Sequence, residues 1–156
     1  MRRHDREVTD RAVIQDVIDH CTCCRLGFCD NGEVYIVPLS FGYDTTEDGY
    51  VLYFHGAKEG RKVDLIRATH KAGFEMDTQY QLQEGAAACA YSARYQSIIG
   101  NGTVEIIEDF AEKKHALTRI MQHNTGKPDW EFPDQRVHAV GIFQLTVTAL
   151  SCKVHA

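Results

Sequence analysis

Residues 23–42 read Cys23-Cys24-Arg25-Leu26-Gly27-Phe28-Cys29, then Asp30-Asn31-Gly32, then Glu33-Val34-Tyr35-Ile36-Val37-Pro38-Leu39-Ser40-Phe41-Gly42. The first run alternates, with Cys24, Leu26 and Phe28 on one face, as a half-buried strand does. Asn-Gly supplies the positive φ values that a tight hairpin needs. The stretch therefore predicts two antiparallel strands, 23–29 and 33–42, and with them a β fold. Pro38 has no N–H to give to a ladder, so its strand must lie at an edge or carry a bulge there.

Working outward, Thr9-Asp10 precedes Val13, Ile14, Val17 and Ile18, an N-cap followed by one apolar helical face. This predicts a helix over about 10–20. Downstream, Glu47-Asp48-Gly49 turns the chain into a third strand, 50–55. A short helix follows over 59–68, with Val63, Leu65 and Ile66 apolar. Two strands, 72–78 and 86–91, flank Gly85. A long strand over 95–107 contains Gly100 and Gly102, the mark of a bulge. Residues 108–123 read as a helix with Phe110, Leu117, Ile120 and Met121 inward and Glu112, Lys113 and Lys114 toward water. Residues 124–136 form a loop holding Trp130, and 137–150 a last strand. The expected fold is mainly β, with six to seven mostly antiparallel strands and about three helices. The sheet closes or partly closes into a barrel with helices at its ends. No repeat or linker divides residues 1–156, so the expectation is a single domain.

Composition narrows the function. The chain has 156 residues, 44% hydrophobic and 25% charged, the proportions of a folded globular domain. No apolar run approaches the ~18–20 residues of a membrane-spanning helix, and no membrane role is expected. With 17 basic against 22 acidic residues the net charge is −5, which argues against nucleic acid as a partner. The charged start, with no hydrophobic stretch behind it, sets the expectation of a cytoplasmic protein.

Six cysteines occur, and Cys21, Cys23, Cys24 and Cys29 crowd together after His20. Zinc sites usually pair two separated C-x-x-C units. No second pair follows here, so no metal site is expected. The alternative, a metal or redox role for His20 and the four thiols, stays open beside the plainer reading of buried thiols acting as small hydrophobes.

The stretch Tyr53-Phe54-His55-Gly56-Ala57-Lys58-Glu59-Gly60-Arg61-Lys62 carries the chemistry. A strand ends, small residues turn, and a helix begins with two cations in its first turn. The helix dipole disfavours cations there, unless an anion docks on the free N–H groups. Arg61 offers a planar fork and Lys62 a point charge, a pair suited to phosphate. Both could equally point into water.

These residues, in order and spacing, resemble the FMN-binding split-barrel proteins of the pyridoxamine 5′-phosphate oxidase-like superfamily. Within it the nitroimidazole-resistance (Nim) branch is the nearest. The resemblance runs from Met1-Arg2-Arg3 and Asp5-Arg6-Glu7-Val8 through Val34–Gly42, Tyr53–Ala57, Gly60-Arg61-Lys62, Leu65-Ile66-Arg67 and Tyr95–Gly102 to Lys153. It implies FMN as cofactor. Val37, Pro38, Leu39 and Ser40 would lie beside the flavin ring, their backbone groups bonding its polar edge. Phe54, His55, Gly56 and Ala57 would line ring and ribityl chain, and Arg61 and Lys62 would hold the phosphate. Tyr95, Ser97 and Ile98 would come from a partner subunit, because the flavin of this family sits at a homodimer interface. His55 is the candidate catalytic residue, as proton donor to a reduced nitro group or as a cofactor ligand. Some split-barrel relatives bind haem, which keeps haem as a second cofactor and a histidine as its ligand. Trp130 could cover the flavin or serve as a packing anchor. Pyridoxamine oxidase itself is longer and ends in an Arg-Leu-x-Pro segment that this chain lacks, so oxidation of pyridoxamine phosphate is not expected.

The implied function is an FMN-dependent oxidoreductase that passes electrons from NAD(P)H or another reductant to a small-molecule acceptor such as a nitro-aromatic. The alternative is a flavin- or haem-binding protein without turnover, for storage or sensing. No G-x-G-x-x-G fingerprint accompanies these motifs, so a nicotinamide would bind only transiently.

Overall fold

The computed structural model describes residues 3–155. Met1 and Arg2, which the resemblance includes, lie outside them. In chain order the elements are β1 (Glu7–Val8), α1 (Arg11–His20), β2 (Cys24–Asp30), β3 (Glu33–Leu39), β4 (Phe41–Thr45), β5 (Tyr50–Gly56), α2 (Arg61–Thr69), β6 (Lys71–Gln83), β7 (Ser92–Ile107), α3 (Phe110–Thr125), α4 (Asp134–Ala139) and β8 (Gly141–His155). Local chemistry sets the ends. The Asp10 carboxylate accepts the backbone N–H groups of Ala12 and Val13, and Asp109 accepts that of Glu112. Asn31 and Gly32 take φ of 51° and 89°, closing the β2–β3 hairpin as its sequence predicts.

The strands follow the order β3-β2-β6-β7-β8-β5-β4, with β1 paired to β8, and every pairing is antiparallel. β3 is an outer strand of this order, as Pro38 requires. Residues 33–42 are not one strand. Leu39 ends one outer strand, Phe41 begins the other, and Ser40 alone links them. Two strands at opposite ends of the order can be joined by one residue only if the sheet curls until its ends meet. The pleat continues through Ser40, so the alternation of side chains gives no sign that the strand changes partners.

Inside the curl, Leu26, Phe28, Phe41, Leu52, Phe54, Phe74, Ile98, Phe143 and Leu145 form the main core. A second core of Tyr53, Ile107, Ala116, Ile120 and Ile142 lies between the sheet and α3. β5 thus buries both its faces. Helix α3 sits directly on β4: a Cβ on Gly42 would stand 2.3 Å from the Arg119 backbone carbon. The Asp44 carboxylate fastens this contact, accepting from Tyr53 Oη at 2.9 Å and pairing with His115 and with Arg119 Nε at 2.7 Å. Burial pushes the Asp44 carboxyl up, but these hydrogen bonds and charges outweigh it and hold it below its ordinary value.

Several expectations are corrected. Among the described residues there are eight strands and four α-helices, against an expected six to seven and about three. Residues 86–91 are not a strand: β6 runs on to Gln83, and the small residues after Gly85 fold into a loop with one 3₁₀ turn, Ala88–Ala90. The 124–136 segment is not wholly loop, because α4 begins at Asp134. β8 starts at Gly141 and reaches His155, so 137–140 does not belong to it. Lys113 does not face water: it is 3% exposed on the sheet-facing side of α3. A lysine stem covers apolar surface as an aliphatic chain would. The bulge falls where the glycines mark it, between Asn101 and Gly102. No helix among the described residues is long and apolar enough to cross a membrane.

Candidate functional site

The end of β5, the turn after it and the start of α2 bring the predicted residues together. Phe54 is fully buried, and its backbone pairs with both Phe41 and Phe143. It supports the site from behind. His55 points outward and is exposed, opposite Ile142. Gly56 and Ala57 follow. Gly60, at φ 118°, starts α2.

The two cations differ in their surroundings. The Arg61 guanidinium bonds Asp30 Oδ2 at 2.9 Å, reaches Glu33 Oε2 at 3.4 Å and lies 4.6 Å over the Tyr35 ring. It is tied to the β2–β3 hairpin. Lys62 turns back toward β5, with Nζ 4.9 Å from the Phe143 ring centroid. Among the described residues it forms no ion pair, and burial lowers its ammonium below the usual lysine range. A Cβ on Gly56 would lie only 2.8 Å from that Nζ. An unopposed, half-buried ammonium beside a side-chain-free backbone is a place for an anion.

β3 borders the site on the hairpin side. Val37 and Leu39 are half-buried against the core, whereas Pro38 and Ser40 are exposed. β3 pairs only with β2, so its other edge leaves backbone groups free for a ligand. On β7, Ile98 is fully buried in this chain's own core, between Met76 and Cys152. Tyr95 is half-buried and its Oη accepts from Arg6 Nη1 at 3.3 Å. It lines a cleft of about 500 Å³ with Gln79, Arg94, Gln96 and His155. Ser97 lies between Asp77 and Lys153 in the sheet. At Phe54 and Ile98, then, what a ligand could meet is backbone.

Trp130 is 42% exposed, and its indole N–H donates to Thr125 Oγ1 at 3.2 Å. The aromatic residue of that loop which lines a cavity is Phe132 instead, with Arg136, Val137 and Val140 of α4 and the residue after it. Sequence reading did not single these out: α4 is short, and Pro133 just before it reads as loop. The cysteines separate by burial. Cys21, Cys24 and Cys152 are buried, with burial pushing the Cys21 thiol up to about 12 and the other two upward. Cys29 and Cys89 are exposed. Among the described residues no three His, Cys, Asp or Glu side chains gather as a metal site would.

Residues 10–154 match the family model described as pyridoxamine 5′-phosphate oxidase. Among solved structures, a candidate 5-nitroimidazole antibiotic resistance protein from Bacteroides thetaiotaomicron is 31% identical, over 95% of this chain and 86% of that one, with a TM-score of 0.81. The flavocytochrome Anf3 from Azotobacter vinelandii superposes over 100% of this chain and 72% of its own, with a TM-score of 0.83 at 19% identity. The FAD- and haem-binding protein from Mycobacterium smegmatis covers 96% of this chain and 73% of its own, with a TM-score of 0.79 at 18% identity. The last two establish likeness of fold alone. No curated protein matches this sequence.

Proposed function

The chain belongs to the pyridoxamine 5′-phosphate oxidase family, and from that premise we propose that it is an FMN-dependent oxidoreductase reducing small acceptors such as nitro-aromatics. The observation that carries the reading is Lys62: a half-buried ammonium with no anion opposite it, beside a glycine that leaves its approach open. A flavin phosphate supplies the missing charge. The likeness to the candidate nitroimidazole-resistance protein directs the choice of acceptor.

Flavin, when bound, would supply the redox chemistry between a reductant such as NAD(P)H and the acceptor. This chain's residues do the rest. Lys62 and the first-turn N–H groups of α2 hold the phosphate. Arg61, anchored to Asp30 and Glu33, fixes the hairpin against the helix and adds its charge. Gly56 and Ala57 let the cofactor approach the backbone closely. The free edge of β3, over Val37–Ser40, orients the ring's polar edge by backbone hydrogen bonds. His55, exposed at the rim, can donate a proton to the acceptor.

The working unit in this reading is a homodimer. Val34, Ile36 and Ile99 are 74%, 61% and 54% exposed on one face of the sheet. Gly27 and Gly73 leave a furrow of about 730 Å³ in that face. Such a surface suits a second copy, which would bring Tyr95 and Ser97 to the flavin. Six unpaired thiols fit a reducing cytoplasm.

The test is titration of the purified protein with FMN, read by flavin absorbance and fluorescence, followed by NADPH-dependent reduction of 2-nitroimidazole. Saturable 1:1 binding with turnover is expected. Binding without turnover favours the storage or sensing reading, which has its own support: His55 makes no hydrogen bond among the described residues that would orient it as an acid. A Soret band in place of flavin bands, or no binding at all, overturns the flavin assignment.

A further inference from the structure

Gly56 also lines a second space, on the side of α3 and α4. A cavity of about 400 Å³ lies between Gly56, Leu117, Phe132, Val137 and Val140, with Arg136 at its wall. That volume is in the range of small-molecule sites. Leu117 and Val140 pack against the second core and Val137 is fully buried, so these walls are fixed by folding. The lining is hydrocarbon apart from one cation. Among the described residues no acid lines the cavity, and the Arg136 guanidinium, exposed to solvent, forms no ion pair or side-chain hydrogen bond.

A second positive charge stands nearby. Lys113 lies one helical turn before Leu117, on the same face of α3, and is 3% exposed without an ion pair among the described residues. Lys58 adds like charge to its surroundings, and Glu108 opposes it. The wall of the cavity is therefore apolar, with Arg136 as its one charged lining residue among the described residues.

We propose that this cavity binds an apolar organic anion: a flat aromatic body against Leu117, Phe132 and Val140, and a carboxylate on the Arg136 fork. A planar guanidinium matches a carboxylate in two parallel hydrogen bonds. Arg136 is exposed, so a neutral ligand of the same shape leaves it hydrated and forgoes the pair, and charge adds to the selectivity. Because Gly56 borders both spaces, the ligand would stand next to the phosphate end of the proposed flavin. That last step rests on the flavin reading; the binding itself does not.

The experiment compares 4-nitrobenzoate with 4-nitrobenzyl alcohol by isothermal titration calorimetry, on the full chain with and without FMN. The acid is expected to bind 1:1 and tighter than the alcohol by about two- to fivefold. Arg136→Gln should erase that preference while leaving the thermal midpoint unchanged, since the guanidinium holds nothing in the fold. Ala139→Trp, at an exposed position lining the cavity, should abolish binding of both. Equal affinity of acid and alcohol, a preference that survives Arg136→Gln, or no binding of the acid overturns the proposal. A protein that binds the acid through Arg136 but takes up no FMN sinks the flavin reading and leaves this site standing. One that takes up FMN but not the acid does the reverse.

Discussion

The Lys62 ammonium lies 2.8 Å from the point a Cβ would occupy on Gly56. The two residues come from different elements, β5 and α2, and each limits the other. Lys62 takes this position over the strand where position 56 has no side chain, and a Cβ there would push the ammonium aside. Gly56→Val should displace Lys62 from the Phe143 ring and weaken FMN binding by at least about tenfold, on the scale of a lost charge-assisted contact. Fluorescence titration measures this. An unchanged affinity would show that Lys62 does not act from this position.

Lys62 and Arg61 should not be equivalent. Lys62→Ala removes a cation that holds no partner in the fold, and should cost FMN affinity about 10- to 100-fold with little change in thermal midpoint. Arg61→Ala also breaks exposed pairs with Asp30 and Glu33, each worth at most about 1 kcal/mol. It should lower stability slightly and FMN affinity less than Lys62→Ala does. Parallel titrations and melting curves separate the two, and the opposite ranking would move the phosphate contact to Arg61.

Neighbouring residues on β5 should divide structure from chemistry. Phe54→Ala empties a fully buried aromatic position and should cost about 3–5 kcal/mol in denaturant unfolding. His55→Ala, at an exposed position, should stay within about 0.5 kcal/mol. If His55 gives a proton to the acceptor, the same change should lower the turnover of 2-nitroimidazole without changing FMN affinity.

Asp44 gives a pH signature. Its carboxyl is held below the ordinary value, so it stabilises the fold above the unfolded-state pKa of about 3.9 and loses that contribution as pH falls through its lower folded-state value. Melting temperature should therefore fall more steeply below about pH 4 in the wild type than in Asp44→Asn. At neutral pH the variant should be the less stable of the two, because Tyr53, His115 and Arg119 lose the charge and one of the two oxygens they share. Matching slopes would show that Asp44 is not the group responsible.

The exposed and the buried thiols should react differently, with the half-buried Cys23 between them. Iodoacetamide followed by mass spectrometry should label Cys29 and Cys89 in the native protein, and Cys21, Cys24 and Cys152 only on unfolding. Early labelling of Cys21 or Cys24 would contradict their burial.

Much of the architecture was legible because it is written in local chemistry. Asp10 and Asp109 cap helices, Asn31-Gly32 turns a hairpin, and Pro38 marks an outer strand. Each acts within a few residues of itself. What escaped depends on partners far away in sequence. Nothing near Ser40 announces that Phe41 pairs with Phe54 while Leu39 pairs with Cys24. Lys113 reads as a surface residue because its burial comes from the sheet beneath α3. In the candidate site, the cations and glycine of residues 56–62 were visible as a motif. That Arg61 is tied to Asp30 and Glu33 while Lys62 stays free required the fold. The cavity beside α4 was invisible for a related reason: Gly56, Leu117 and Phe132 share no spacing.

The single-residue link at Ser40 has a kinetic consequence. Bringing two ends of a sheet together normally costs the entropy of closing the chain between them, a cost that grows with loop length. Here the two outer strands are neighbours on the chain, so that loop is almost nil. The slow steps of folding should fall elsewhere, in the pairings β5 makes with β8 and β1 makes with β8, which join residues 85 or more positions apart. A nick at Ser40 would remove the tether and turn a nearly free closure into an encounter between two chain ends, so refolding rather than the finished fold would register the loss first.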